Sequence, residues 1–575
     1  MRPTLPCLLI LAFGLGVWSA WAQPGGDGSP ILGGVWAGNV TSTSVTVSVR
    51  LSAPGQRVRL QVSRPDSLLP VAFSPATTTA AAAGNTVKLT VQGLVPDVEY
   101  LYALEVAGEL RSEPESRGRF RTFPLGRASF RVAFSSCGDP RAADQRVFAA
   151  IIAEAPLLFL HLGDLHYRDT NSTVPEDYRG NYDAVLGHPS QGPLFRSLPV
   201  AYTWDDHDYA GNDSDSTAAG RATARAAYRE RVPHYPLGPG DGTIGQAFTI
   251  GRVRFILTDL RSAAAPASLR ESAAKTRLGA AQKAWFKQEL INARDNGFPL
   301  IVWACTNPWI GAAKVGDDSW AGYATERTEI ANFLRDNRIT NLAIISGDMH
   351  ALAYDDGTHS DYATGGGAPV HVMHGAALTQ PPSVKGGPYS GGVAPGSAQY
   401  GVLEVYDSGG PSVACRFLGV HAVEGRKLTH IFSSSLSGTN GHSIVNISTL
   451  GRLGAGGESL TSGFVIGGGA HRTVLVRAVG PTLAAFGIPD ALAQPVLSVF
   501  QGTRLIASNA GWAGVDGAGA DALTGAFDRA GAFRLLDDTS RDAALILSLP
   551  PGAYTVQVRS AEGAAGSALL EVYEL

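Results

Sequence analysis

Four short polar clusters in the middle of the chain hold the side chains with the most chemical potential. The first is "FSSCGDP", with Cys137, and the second is "HLGDLHYRD", with Asp164, His166 and Tyr167. The third is "TWDDHDYAGND", with Asp205, Asp206, His207 and Asp208, and the fourth is "ISGDMHALAYDDG", with Asp348 and His350. Together they offer carboxylate oxygen, imidazole, a thiol and a phenol, a set suited to metal ions. Gathering so many ionisable groups without a cation would raise carboxyl pKa values and destabilise the fold. A pair of divalent or trivalent ions removes that penalty.

Each fragment has a plainer reading. A Gly-Asp after a strand often caps a helix or a turn, and a lone Asp-x-His is no stronger. "WDDHD" resists such a reading, because three acids around one histidine make a poor core and an odd surface. Four such clusters in order, each behind an apolar stretch, favour one shared site.

The elements that must position them follow from the hydrophobic pattern. From Ser129 onward, apolar strands alternate with helical stretches: "FRVAFSS", "QRVFAAIIAEA", "LLFLHLGD", "VRFILTD", "AQKAWFKQELINAR", "LIVWACT", "EIANFLRDN" and "NLAIISGD". Polar clusters at the ends of such strands sit on loops beyond a stacked α/β sheet, where catalytic groups collect. Strands "GVLEVYD" and "VACRFLGVHAV" close this region near Phe432. Upstream, Ile31 to Phe123 alternates in strand fashion between Pro and Gly turns, which predicts a β-sandwich. Its segment "VQGLVPDVEYLYALEV" resembles the turn of fibronectin type III or immunoglobulin-like domains, with Tyr100 or Tyr102 as the corner tyrosine. Downstream of "SSSLSGTNGHS", Gly-rich turns separate short strands through to Leu575, predicting a second β-sandwich without a convergent ionisable set. The expected organisation is residues 1–22 signal peptide, 31–124 N-terminal domain, 127–433 catalytic domain, 434–443 linker and 444–575 accessory domain. The fold class is multidomain, α/β plus β.

Composition agrees with several globular domains. The chain has 575 residues, too many for one core, and its 69 Gly and 34 Pro point to many turns. A net charge of −4 without a Lys/Arg cluster argues against a nucleic-acid or anionic-membrane partner. The first residues read as an export signal: Arg2, the apolar run Leu8 to Val17, and Ala20-Trp21-Ala22 as cleavage site. No stretch approaches the ~20 apolar residues of a transmembrane helix, and the absence of an Arg pair favours the general secretory route. The expected location is therefore periplasmic, extracellular or cell-surface. Cleavage would leave Cys137, Cys305 and Cys415; the latter two lie in apolar strands and read as buried hydrophobes.

The cluster order resembles the calcineurin-like metallophosphoesterases, whose blocks run Asp-x-His, Gly-Asp-x-x-Asp, Gly-Asn-His-Glu/Asp and Gly-His-x-His. Here Cys137 stands at the first block, Tyr167 replaces the last Asp of the second, Asp206 replaces Asn, and Asp348 replaces the first His of the last block. These departures resemble the PhoD-like (alkaline phosphatase D) branch, and the Asp164–Tyr167 spacing is also similar to that of purple acid phosphatases. Fainter echoes are Tyr178, Arg179 and Tyr182, Asp259 and Arg261, Leu278, Gln282 and Trp285, and Asp318, Trp320, Tyr323 and Arg327. The resemblance covers about Ser129 to Tyr354 and implies a four-layer α/β/β/α metallophosphoesterase domain.

By that resemblance, Asp164 would bridge two metals, with Cys137, Tyr167 and His350 completing one site and Asp206 and Asp348 serving the other. Phenolate and thiolate favour Fe(III) and an all-oxygen neighbour favours Ca or Mn, with Zn as an alternative. Asn307 is a candidate for a missing ligand or a substrate contact. Two cations about 3.5 to 4 Å apart would activate a bridging water for in-line attack on phosphorus. His207 would serve the leaving oxygen as general acid, Asp208 would orient its imidazole, and His166 and Arg261 would contact phosphate. The implied substrates are phosphate mono- or diesters, free or on a surface polymer. The rivals are an adhesion protein with a degenerate phosphatase domain and a zinc-only phosphodiesterase.

Overall fold

The computed structural model describes residues 29–67, 69–238, 242–435, 446–466, 472–513, 518–536, 539–550 and 552–575. The expected signal peptide lies outside these residues. So does most of the expected linker, whose first two residues end the strand Gly425–Ser435.

Two sheets form the middle of the chain. The first has six strands in the order Val200–Thr203, Leu158–Leu162, Phe130–Ser135, Gln399–Tyr406, Ser412–His421 and Gly425–Ser435. Its first three strands are parallel and the remainder antiparallel. The second has seven strands, with Val253–Leu257, Leu300–Cys305, Leu342–Ser346 and His371–Gly375 as its parallel centre. Leu158–Leu162, Leu300–Cys305 and Leu342–Ser346 are buried at every position, as expected for parallel strands covered on both faces. Phe134, Phe255, Val302, Met373 and Phe417 fill the space between the sheets. Helices Arg146–Ala153, Pro175–Leu186 and Arg221–Arg231 cover the outer face of the first sheet. Ala280–Asp295 and Ala324–Asp336 cover that of the second. The arrangement is helix, sheet, sheet, helix.

The N-terminal region has two antiparallel sheets, one of which contains Ile31–Gly38, Ser44–Leu51 and Thr86–Gln92. The hydroxyl of Tyr100 accepts the Val95 N–H at 3.0 Å, a local tie across the turn, whereas the Tyr102 hydroxyl is buried without a partner. Arg50 joins this region to the helix Pro175–Leu186 through Asp183 and Glu176, both at 2.5 Å. From Asn446 on, two four-stranded antiparallel sheets pack together, and the helix Ala518–Ala530 lies against one of them. Among the described residues, no helix is long and apolar enough to cross a membrane.

Candidate metal centre

All four polar clusters meet where strands of both sheets end. The loop after Phe130–Ser135 holds Cys137, and the loop after Leu158–Leu162 holds Asp164 and Tyr167. Val200–Thr203 leads to Asp205 and Asp206, and Leu342–Ser346 leads to Asp348. Backbone bonds hold the loops together: Cys137 N–H donates to the Gly163 carbonyl at 3.1 Å and Asp348 N–H to the Ser136 hydroxyl at 3.1 Å. The glycines of the two Gly-Asp motifs permit this approach. A Cβ on Gly163 would sit 2.4 Å from the Asp205 Cβ, and one on Gly347 2.6 Å from the Ser136 Oγ.

The backbone at the site is strained. Cys137, Asp164, Tyr167 and Asp348 have φ values of 63°, 57°, 49° and 61°, a left-handed region that costs such side chains energy. Strain of this kind persists where the surroundings over-determine it, and it concentrates at functional sites.

Asp164 is the focus. Its Oδ2 accepts from the Tyr167 hydroxyl at 3.0 Å and lies 3.5 Å from the Cys137 Sγ. Its Oδ1 is buried without a partner, and so is Oδ2 of Asp348. Ligand atoms of Asp164, Asp206 and His207 lie within 4.8 Å of one another, as do those of Asp164, Asp205 and Asp348, and of Asp206, Asp213 and Asp318. Burial, reinforced by the charges of Asp206, Asp205, Asp208 and Asp348, raises the Asp164 carboxyl well above its usual range. Burial and then the Asp164 charge do the same to the Cys137 thiol and the Tyr167 phenol. Orphaned oxygens among groups driven to their neutral forms fit a bound cation, which would reverse those shifts.

Asp206 and Asp348 behave differently. Burial is the largest influence and opposes ionisation at each, but Arg261, His207 and the Asp213 N–H together outweigh it at Asp206, as Lys385 and Arg261 do at Asp348, so both carboxyls sit below the usual range. The Lys385 Nζ donates to Asp348 Oδ1 at 2.6 Å. His350 stands beside Asp348, with Nδ1 hydrogen-bonded at 2.7 Å to the Pro381 carbonyl. A carbonyl only accepts, so Nδ1 carries the proton and Nε2 is left with the lone pair. His350 joins none of the three compact groups.

The remaining expected residues have partners that redefine them. Asp208 does not orient His207: its Oδ1 accepts the backbone N–H of Leu165 at 2.5 Å and of His166 at 3.3 Å, and it closes a capping box with Asp205. Asp169 takes that position, 2.5 Å from His207 Nδ1, while the His207 ring lies 4.2 Å from that of Tyr167. Burial lowers the basicity of His207, but Asp206 and Asp169 more than compensate and raise its pKa. Arg261 is fully buried, donating to Asp205 and, at 2.9 Å, to Asp318, so it braces carboxylates instead of facing a substrate. Asn307 is equally enclosed: its amide nitrogen donates to Asp205 at 3.0 Å and its oxygen accepts from Arg277. His166 is buried, with Nδ1 accepting the Arg168 N–H at 3.2 Å and Nε2 lying 3.7 Å from Asp208 Oδ1. Cys137, Cys305 and Cys415 are all free and buried.

Sequence reasoning missed Asp169, Asp213 and Lys385. Asp169 lies only two residues beyond Tyr167, in the same acidic stretch, whereas nothing local marks Lys385.

The fold pairs two sheets and gathers a carboxylate-rich centre at their strand ends, and comparison gives the class. Residues 132–386 match the family model of PhoD-like phosphatase, and residues 19–124 match the model of that family's N-terminal domain. The chain belongs to the PhoD-like phosphatase family and is thereby a phosphoesterase. Alkaline phosphatase D of Bacillus subtilis (strain 168) is 24% identical over 413 residues, which cover 62% of this chain and 70% of that protein. A solved structure of PhoD superposes with a TM-score of 0.58 at 19% identity, covering 71% of this chain and 91% of the other, a likeness of fold.

Proposed function

We propose that this chain is an exported, metal-dependent phosphatase of the alkaline phosphatase D type, acting on phosphate mono- or diesters. The observation that carries the reading is the doubly contacted Asp164 carboxylate with its orphaned, buried second oxygen. Asp164, Cys137, Tyr167 and His350 would hold one ion, and Asp206 and Asp348 another. The thiol and phenol suit Fe(III), and the oxygen-rich side suits Ca or Mn, with Zn as the alternative. Bound ions would supply Lewis acidity and a more acidic water.

The chain's own residues do the rest. Asp169 holds Nδ1 of His207, which leaves Nε2 for the substrate. A carboxylate on Nδ1 and the charge of Asp206 favour the imidazolium, the form that can donate a proton from Nε2 to a departing alkoxide. Arg261 and Asn307 fix Asp205, and Asp208 fixes the second loop by its backbone, so that the acid-bearing loops keep their spacing. His166, Arg261 and Asn307 act in this reading as positioning residues.

The test is elemental analysis of natively expressed protein combined with turnover of p-nitrophenyl phosphate and its bis ester. Bound metal with hydrolysis of either ester supports the proposal. Absence of both leaves the adhesion reading in its place, and a zinc-only enzyme would lack phenolate-to-iron absorption in the visible range.

A further inference from the structure

The cations around the candidate centre are unequally placed. Arg261 and Arg277 are fully buried and engaged with Asp318, and with Asp205 and Asn307 respectively. Arg141 forks onto Asp139 with both bonds at 2.9 Å and also binds the Tyr167 carbonyl. Lys385 differs from all three. It has one side-chain partner, Asp348 Oδ1, and its side chain keeps 42% exposure, so it reaches the centre from the solvent side.

Its backbone is fixed. Residues 379–387 form a strap that crosses three of the site loops: Thr379 N–H donates to the Cys137 carbonyl at 3.0 Å, and Ser383 N–H to that of His350 at 3.2 Å. Gly387 N–H reaches the Ile310 carbonyl at 3.3 Å, and the Tyr389 hydroxyl holds the Lys385 carbonyl at 3.0 Å. The ammonium is therefore set beside Asp348 by a chain segment pinned on both sides of Lys385. Asp348 is one of the carboxylates with an orphaned oxygen. An ion held through the orphaned Oδ2 would draw the Asp348 charge away from the ammonium, which sits on Oδ1 and has two further N–H donors to offer at the rim.

We propose that Lys385 is a substrate-positioning residue that takes a non-bridging phosphoryl oxygen and biases the site toward dianionic phosphate monoesters over monoanionic diesters. This rests on the phosphatase reading. A lysine acts here as a point charge, so its contribution follows the charge of the ester more than its shape.

The test uses the metal-loaded full chain and its Lys385→Met and Lys385→Arg variants. Inorganic phosphate binding is measured by calorimetry, metal content by elemental analysis, and kcat/KM for p-nitrophenyl phosphate and bis(p-nitrophenyl) phosphate. The Met variant is expected to bind phosphate about tenfold more weakly and to lose about tenfold on the monoester, the scale of one charge-assisted hydrogen bond. The diester should fall by clearly less, metal content should hold, and Arg should recover part of the loss. Unchanged phosphate affinity, an equal fall on both esters, or a fall in metal content would overturn the assignment. If the parent chain binds phosphate through Lys385 yet hydrolyses neither ester, the phosphatase reading fails and only an anion-binding role for Lys385 is left. If it hydrolyses esters but the Met variant binds phosphate normally, the positioning role fails alone.

Discussion

The central and C-terminal regions bury charge in opposite ways. In the C-terminal region Arg477 is fully buried, yet it donates to Glu571 at 2.9 Å and to the Phe533 carbonyl at 2.5 Å, and Phe533, Phe527 and Tyr573 surround its guanidinium. The Tyr573 hydroxyl satisfies the other Glu571 oxygen at 2.7 Å. Asp542 is likewise saturated, by Gly480 N–H at 2.6 Å and by the hydroxyls of Thr482 and Ser540. Among the described residues from Asn446 on, no buried side-chain nitrogen or oxygen lacks a partner. The central region leaves Asp164 Oδ1 and Asp348 Oδ2 buried and bare. A buried charge with all its hydrogen bonds made is architecture. One held incomplete, on strained backbone, has the character of a candidate binding site.

The largest effect that would sharpen this contrast is at its focus. Asp164→Asn should lower ester turnover by at least about 10³-fold, because it removes a charge that acts as part of a unit, with little change in circular dichroism. Retained turnover would break the contrast. Next is His207→Gln, expected to cost about 10²- to 10⁴-fold in kcat, the span of general acid–base catalysis. Metal content decides its role: unchanged metal marks a proton donor, and a loss of metal marks a metal ligand alongside Asp164 and Asp206.

The saturated pair should respond in another currency. Arg477→Met strands Glu571 in the interior and should destabilise the C-terminal region by about 3 to 5 kcal/mol, read by denaturant unfolding, with turnover and metal content unchanged. A catalytic loss there would erase the distinction between the regions.

The smallest effect is a difference in acid sensitivity. Burial lowers the pKa of His161 and His166 to about 3 and of His374 to about 4. Between those values and the ordinary histidine pKa of about 6.5 the unfolded chain binds protons that the folded chain refuses. Stability from these groups is complete above about pH 6.5 and is lost as pH falls toward their folded values. From Asn446 on the sequence has a single histidine, His471, which lies outside the described residues. Amide exchange at pH 5 against pH 7.5 should show protection lost first in the central sheets; equal loss in both regions would contradict this.

The sequence discloses these regions unevenly. Leu158–Leu162 and Leu342–Ser346 are legible because strands buried on both faces read as apolar runs, and the Gly-Asp pairs that follow mark their ends. Cys137, Asp164, Asp206 and Asp348 were legible for the same reason, since each sits within a few residues of a strand end. The partners were not. Asp169 meets His207 across 38 residues and Lys385 meets Asp348 across 37, pairings set by loop paths that no periodicity records. Adjacency to His207 suggests an orienting role for Asp208, but the capping box turns its carboxylate toward the backbone of Leu165. The expected substrate contacts of Arg261 and Asn307 give way to bonds with Asp205, a partner that lies 56 and 102 residues away and that no local pattern marks.

The most direct test of the central claim is the metal stoichiometry of the natively expressed chain, measured by elemental analysis beside Asp164→Asn. Two ions per chain are expected, with removal of both hydrolysis and metal by strong chelation, and loss of metal in the variant. A parent chain that carries no ion and hydrolyses esters equally well in chelator would contradict the claim.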